Sequence, residues 1–294
     1  MQRSTDSQPG VGGDVRRAVV QYYDNTWVDY RLAWLNGSNM AIHFGFHDER
    51  HRAHGAALEN TNRVLADIVG VKAGERILDA GCGIGGSSLW LARNLGAEVV
   101  GITLVPSQVR RARLQADRQG LGGQVRFEVA DYTDTKLDDA SFDVVWALES
   151  LCHAPVKEAF YREAVRVLRP GGRLVVAEYF RTRRGMPSAD EAVVREWLDG
   201  WEIPDIDTRD EHVEAAARAG LVSVGVEDHT DATRPSLRRA HDRARMAHPL
   251  LTACHMLGVR NRIQHRNAVA IRRQYQALMR DTWFYAVLTA RKPV

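Results

Sequence analysis

Asp79 and four glycines fall within eight residues of the stretch Ile77-Leu78-Asp79-Ala80-Gly81-Cys82-Gly83-Ile84-Gly85-Gly86-Ser87-Ser88. Glycines at alternate positions let the backbone take positive φ and let a ligand lie against bare amides. A helix restarting at about Ser87 points its free N–H groups at whatever occupies the turn. Asp79, at the end of the preceding strand, supplies a carboxylate that can hold a cationic amino group. Such a site suits a nucleoside carrying an amino-acid tail better than a pyrophosphate. The spacing D-x-G-x-G-x-G-G also differs from the dinucleotide pattern G-x-G-x-x-G.

Three later positions extend the same chemistry. Many nucleotide-binding sheets end their second strand with an acid that grips ribose hydroxyls. Here that place is Thr103, and its hydroxyl and the Gln108 amide can bond ribose more weakly. Asp131 can accept an adenine amino group while the Tyr132 ring covers the base; the plainer reading of Asp131 is a loop acid capping a turn. Glu149 follows a strongly apolar strand and reaches a pocket as a base, or merely bonds a backbone amide or basic neighbour. His153, one helical turn on, is a second base candidate or a surface histidine. Tyr22, Tyr23, Trp27, Tyr179, Trp197 and Trp201 can wall an acceptor pocket, although each taken alone reads equally as core.

These residues need a scaffold, and the chain alternates strand and helix. Strands are expected over 76–79, 98–103, 125–129, 142–147 and 174–179, with helices over 87–95, 107–119 (capped by Ser107) and 156–168. The pattern is that of an α/β, Rossmann-like, doubly wound and mainly parallel seven-stranded sheet, with its ligand at the carboxyl edge. A sixth strand is read at 221–228 and a closing one at 283–290. Residues 1–14 read as a disordered tail, 15–70 as an N-terminal helical lid, and 71–180 as the nucleoside-binding core. Residues 181–294 complete the sheet and carry a basic helical cap, about 231–280, inserted before the last strand.

At 294 residues, with 45% hydrophobic and 26% charged residues, the composition is that of an ordinary soluble enzyme. No apolar run approaches the roughly eighteen residues of a membrane span, and the N-terminus lacks the apolar core of a signal peptide. Three widely separated cysteines fit neither a disulfide framework nor a metal site, so a reducing, cytoplasmic setting is expected. The net charge of +3 hides an asymmetry: residues 231–280 hold eleven arginines against two acids. A diphosphate needs bidentate, permanently charged donors, which Arg238, Arg239 and Arg245 supply. The bland alternative is a solvated helix face or a contact in a homo-oligomer. Nucleic acid is disfavoured, because the excess is confined to the cap and no nucleic-acid module appears.

With these residues in hand, the chain resembles class I S-adenosylmethionine (SAM)-dependent small-molecule methyltransferases, within them the γ-tocopherol and isoprenoid-diphosphate C-methyltransferase group. The marks are Ile77 to Gly86, Gly101-Ile102-Thr103-Leu104, Glu149-Ser150, and the basic insertion before the closing strand. The resemblance implies that Asp79, Gly81, Cys82, Gly83, Thr103, Leu104, Gln108, Asp131, Tyr132 and Leu148 hold SAM. It implies Glu149 as the catalytic base with His153 beside it, no resident metal, and a magnesium ion only with a diphosphate acceptor. The expected partner is therefore a small hydrophobic molecule, anionic if the arginines bind it. C-methylation of an isoprenyl diphosphate is the favoured activity. N- or O-methylation of a phenol or amine, or a SAM-binding protein that transfers no methyl, stay open.

Overall fold

The computed structural model describes residues 11–33 and 40–294. Seven strands form one sheet: β1 (Arg76–Ala80), β2 (Glu98–Thr103), β3 (Val125–Val129), β4 (Phe142–Leu148), β5 (Leu168–Arg181), β6 (Val222–Asp228) and β7 (Trp283–Arg291). Their spatial order is β3-β2-β1-β4-β5-β7-β6. The first five pair in parallel, and β7 runs antiparallel between β5 and β6. Central β1 and β4 are covered on both faces, which is why both read as nearly continuous apolar runs.

The helices are α1 (Val11–Ala33), α2 (His54–Val69), α3 (Gly86–Leu95), α4 (Pro106–Arg118), α5 (Lys157–Val167), α6 (Ser188–Gly200), α7 (Arg209–Arg218), α8 (Thr230–Met256) and α9 (Arg262–Leu278). Buried side chains of α2, α3, α4, α6 and α9 make the core on one sheet face, and those of α5 and α7 the core on the other. The chain leaves β1 toward one edge and returns through β4 toward the other. A crevice therefore opens at the carboxyl ends of β1 and β4, where the strand order reverses.

Three expectations shift. Helix α1 starts at Val11, so the last residues of the expected tail are helical; residues 1–10 lie outside the described ones. Val105, not Ser107, precedes the first turn of α4, and the Ser107 hydroxyl donates instead to Asp24 on α1. Strand β5 also begins earlier, at Leu168. The insertion before β7 is helical as expected, folded as the α8–α9 hairpin.

Candidate active site

The turn after β1 is built as its glycines require. Gly81, Gly83 and Gly85 take φ of 92°, 53° and 87°, where an L side chain is strained. A Cβ on Gly81 would also lie 2.2 Å from that of Ser150. The Ser150 hydroxyl donates to the Ala80 carbonyl at 2.6 Å, tying the ends of β1 and β4 together.

Two adjoining cavities open there. One is lined by Asp79, the glycine turn with Cys82, Thr103, Leu104, Gln108, Tyr132 and Leu148. Thr103 donates to Gln108 Oε1 at 2.7 Å, which fixes the amide. Burial pushes the Asp79 carboxyl up to about 6 against the hydrogen bond from Ser88. His43 also lines this cavity. Its Nδ1 lies 2.9 Å from the Phe44 carbonyl; a carbonyl only accepts, so the proton sits on Nδ1 and buried Nε2 keeps a bare lone pair. Burial lowers the His43 pKa to about 4, so the ring is neutral. A glycine cradle, an acid at the strand end and bonded Thr103 and Gln108 fit a nucleoside with an amino-acid tail.

The second cavity runs between α1, α8 and α9 and is walled by Tyr22, Tyr30, Phe44, Tyr179 and Trp201. Tyr23, Ile42, Glu149 and His153 line both cavities and mark their junction. On α9, Asn267, Ile271 and Gln274 share one helix face and form the far wall. Two buried N–H groups of lining residues, Gln274 Nε2 and Trp201 Nε1, have no partner among the described residues. No lysine or arginine lines this cavity among the described residues, whereas Asp29 and Glu149 do.

At the junction, Glu149 holds a left-handed backbone, φ 49°. Oε1 accepts from the Phe44 amide at 2.7 Å and the Tyr285 hydroxyl at 2.9 Å, and Oε2 from the Tyr179 hydroxyl at 2.6 Å. Burial nevertheless raises its pKa to about 8. His153 Nδ1 lies 3.3 Å from the Glu202 carbonyl and so carries the ring proton. Its Nε2 is therefore the acceptor, and the Tyr23 hydroxyl donates to it at 3.1 Å. Burial lowers the His153 pKa to about 4, leaving a neutral imidazole.

Several expected site residues stand elsewhere. Asp131 caps a turn through Thr133 and pairs with Arg16, so its carboxylate is taken and only Tyr132 faces the cavity. Trp27 packs outside, its ring 4.1 Å beneath the Arg111 guanidinium. Trp197 is wholly buried behind Tyr179, their rings 5.5 Å apart, and reaches neither cavity. Arg238, Arg239 and Arg245 lie exposed on α8, away from both cavities. Among the described residues, four of the other eight arginines of the basic block pair with acids outside it: Arg260 with Asp29, Arg266 with Glu202, Arg273 with Glu196 and Arg280 with Asp190. Conversely, sequence reasoning missed His43, Tyr30, Asn267 and Gln274. The polar i, i+7 spacing of Asn267 and Gln274 was the one available signal.

Residues 78–176 match the family described as Methyltransferase domain. The 27-O-demethylrifamycin SV methyltransferase of Amycolatopsis mediterranei (strain S699) is 33% identical over 303 residues, covering all of both chains. The chain belongs to the SAM-dependent small-molecule methyltransferases. Among solved structures, the (4+2)-cyclase SpnF superposes with a TM-score of 0.77 at 30% identity, over 95% of this chain and 97% of that one. A geranyl diphosphate methyltransferase with geranyl diphosphate and sinefungin shares the fold at 23% identity and a TM-score of 0.73, over 95% and 99%.

Proposed function

We propose that this methyltransferase O-methylates a hydroxyl of an uncharged, largely apolar natural product, with His153 as general base. The observation that carries the reading is the His153 geometry: a neutral ring at the junction, its tautomer set by Glu202, with Nε2 presented to the cavity. Bound in the glycine-turn cavity, SAM supplies an electrophilic methyl on a sulfonium. The entering hydroxyl replaces Tyr23 on Nε2, an exchange of one hydrogen bond for another. As the new O–C bond forms and the S–C bond breaks, the hydroxyl proton passes to Nε2. Asp79, Thr103, Gln108 and His43 hold the donor, and Tyr22, Tyr30, Tyr179 and Trp201 wall the acceptor and exclude water. The unpartnered N–H groups of Gln274 and Trp201 suit a carbonyl or ether oxygen on that acceptor.

The reading is further supported by the full-length likeness to a methyltransferase named for an O-demethylated rifamycin. C-methylation of an isoprenyl diphosphate fits less well. Its specific support is Glu149, a carboxylate of raised pKa at the junction. Among the described residues, however, no lysine or arginine lines the cavity to pair with a diphosphate, and Arg238, Arg239 and Arg245 line neither cavity. Magnesium belongs with that diphosphate reading.

The test is turnover of methyl-labelled SAM with hydroxylated macrolactams, macrolactones and phenols, beside amines and geranyl diphosphate. Label is expected in a hydroxyl-bearing acceptor. His153→Gln is expected to lower kcat about 10²–10⁴-fold with SAM affinity unchanged, and Tyr23→Phe to lower it less. Label on a carbon of geranyl diphosphate, or full activity in His153→Gln, overturns the reading. SAM binding without transfer to any acceptor does so as well.

A further inference from the structure

Lysine is almost never fully buried without an anionic partner. Lys157, at the start of α5, is 4% exposed and forms no ion pair among the described residues. Its ammonium instead donates to three carbonyls: Ala154 at 2.7 Å, Asp205 at 2.9 Å and Cys152 at 3.2 Å. An ammonium has three protons, so each is used. Two of these carbonyls flank His153 in the turn that carries it. The third lies three residues beyond Glu202, whose carbonyl takes the His153 Nδ1 proton. From the other side, Glu178 on β5 accepts the Cys152 amide at 2.8 Å.

We propose that Lys157 is a positioning residue for His153: its ammonium bolts the 151–154 turn to the 202–205 loop, fixing the imidazole's place and tautomer together. This rests on the reading of His153 as the base. A displacement of the ring by about 1 Å is enough to cost methyl transfer heavily, and either segment moving alone would break the Nδ1 contact. The buried charge has a second consequence. His153 faces Tyr23 from α1, the Glu202 carbonyl and Lys157 from α5. Lys157 in turn faces Glu178, Asp205, Asp207, Cys152 and His212. Burial is the largest influence lowering the His153 pKa, and the Lys157 charge lowers it further, so removing that charge raises it.

The experiment compares Lys157→Met with the wild type in the labelled-SAM assay. The expected result is a ten- to hundredfold fall in kcat, little change in KM for SAM, and an acid limb of the kcat/KM profile moved to higher pH. In the His153→Gln background the same change is expected to add no further loss, as for residues acting through one another. Lys157→Gln, which keeps amide donors but not the charge, serves if the methionine variant does not fold. Lys157→Arg, which keeps the charge but not the shape, is expected to lose kcat with the acid limb unmoved. A folded Lys157→Met enzyme with wild-type kcat and acid limb overturns the proposal, as does an equal fall in both backgrounds. Failure of both Met and Gln variants to fold assigns Lys157 to stability and overturns it too. Full activity in His153→Gln would instead overturn the base assignment, a separate result.

Discussion

Glu149 is a buried carboxylate at the junction of the two cavities, with both oxygens hydrogen-bonded. Its left-handed backbone turns the side chain back under β5 and β7, where two tyrosine hydroxyls and the Phe44 amide hold both oxygens. Those bonds favour the charged form, but burial outweighs them and the folded pKa lies near 8. A pKa above its unfolded value means the folded state binds the proton more tightly. The associated stability is complete below the unfolded value near 4.5 and is lost as pH rises through 8. Glu149→Gln has no such proton to lose. It is expected to show a flatter decline of Tm between pH 6 and 9 than the wild type, measured by thermal unfolding of the ligand-free protein. If Glu149 is not the base, the variant also keeps methyl transfer within about tenfold of wild type, against the 10²–10⁴-fold loss of a missing base. A wild-type slope in Tm together with abolished transfer would count against both statements.

At the scale of elements, α1 matters most, because it closes both cavities from outside the sheet. It is held by α9 and the turn before it: Arg260 of that turn donates to the two Asp29 oxygens at 2.7 and 2.8 Å, and Tyr22 to Asn267 of α9 at 2.8 Å. The ion pair is mostly shielded, with side chains 12% and 17% exposed, and its bidentate geometry is the strong kind. Arg260→Ala is expected to weaken α1 docking by about 2 kcal/mol. Hydrogen exchange should then speed up over 11–33, and KM for acceptor should rise, while the sheet keeps its protection. Unchanged exchange in α1 would show that the lid is held by its apolar contacts alone. The exposed arginines of α8 give the opposite expectation. Combined Arg238→Ala, Arg239→Ala and Arg245→Ala should leave kcat/KM for the acceptor within about twofold, since surface changes of this kind are usually small. A large rise in acceptor KM would return the basic face to substrate binding.

For the molecule as a whole, what could be read from the chain and what could not divide along one line. The nucleoside side of the site was legible because its requirements are local. Positive φ at Gly81, Gly83 and Gly85, an acid at the end of β1 and a helix starting at Gly86 all lie in consecutive residues, and any sequence meeting them must write them together. The sheet was legible for a related reason: a strand buried on both faces, such as β4, must be apolar throughout. The insertion before β7 was legible too: its residue pattern is helical, and the order of the elements places it between the last two strands.

The acceptor side was not legible, because it is assembled from elements as far apart as α1 and α9. Periodicity says that Asn267, Ile271 and Gln274 share a helix face, but not that the face meets Tyr22. The aromatic residues could be named but not sorted: Tyr179 and Trp201 reached the cavity, while Trp197 went beneath it and Trp27 outside. The arginine excess was visible, but the acids that neutralise Arg260 and Arg273 stand on α1 and α6, far along the chain. The reading that proposes His153 rather than Glu149 as the base rests on the Glu202 carbonyl, the Tyr23 hydroxyl and three donors on one carboxylate. The sequence by itself determined the sheet and the glycine turn, because short-range backbone geometry and burial dictate them, and its resemblance to a family carried the class of reaction. Only the tertiary structure decided which side chains meet the acceptor, because that depends on how distant helices pack.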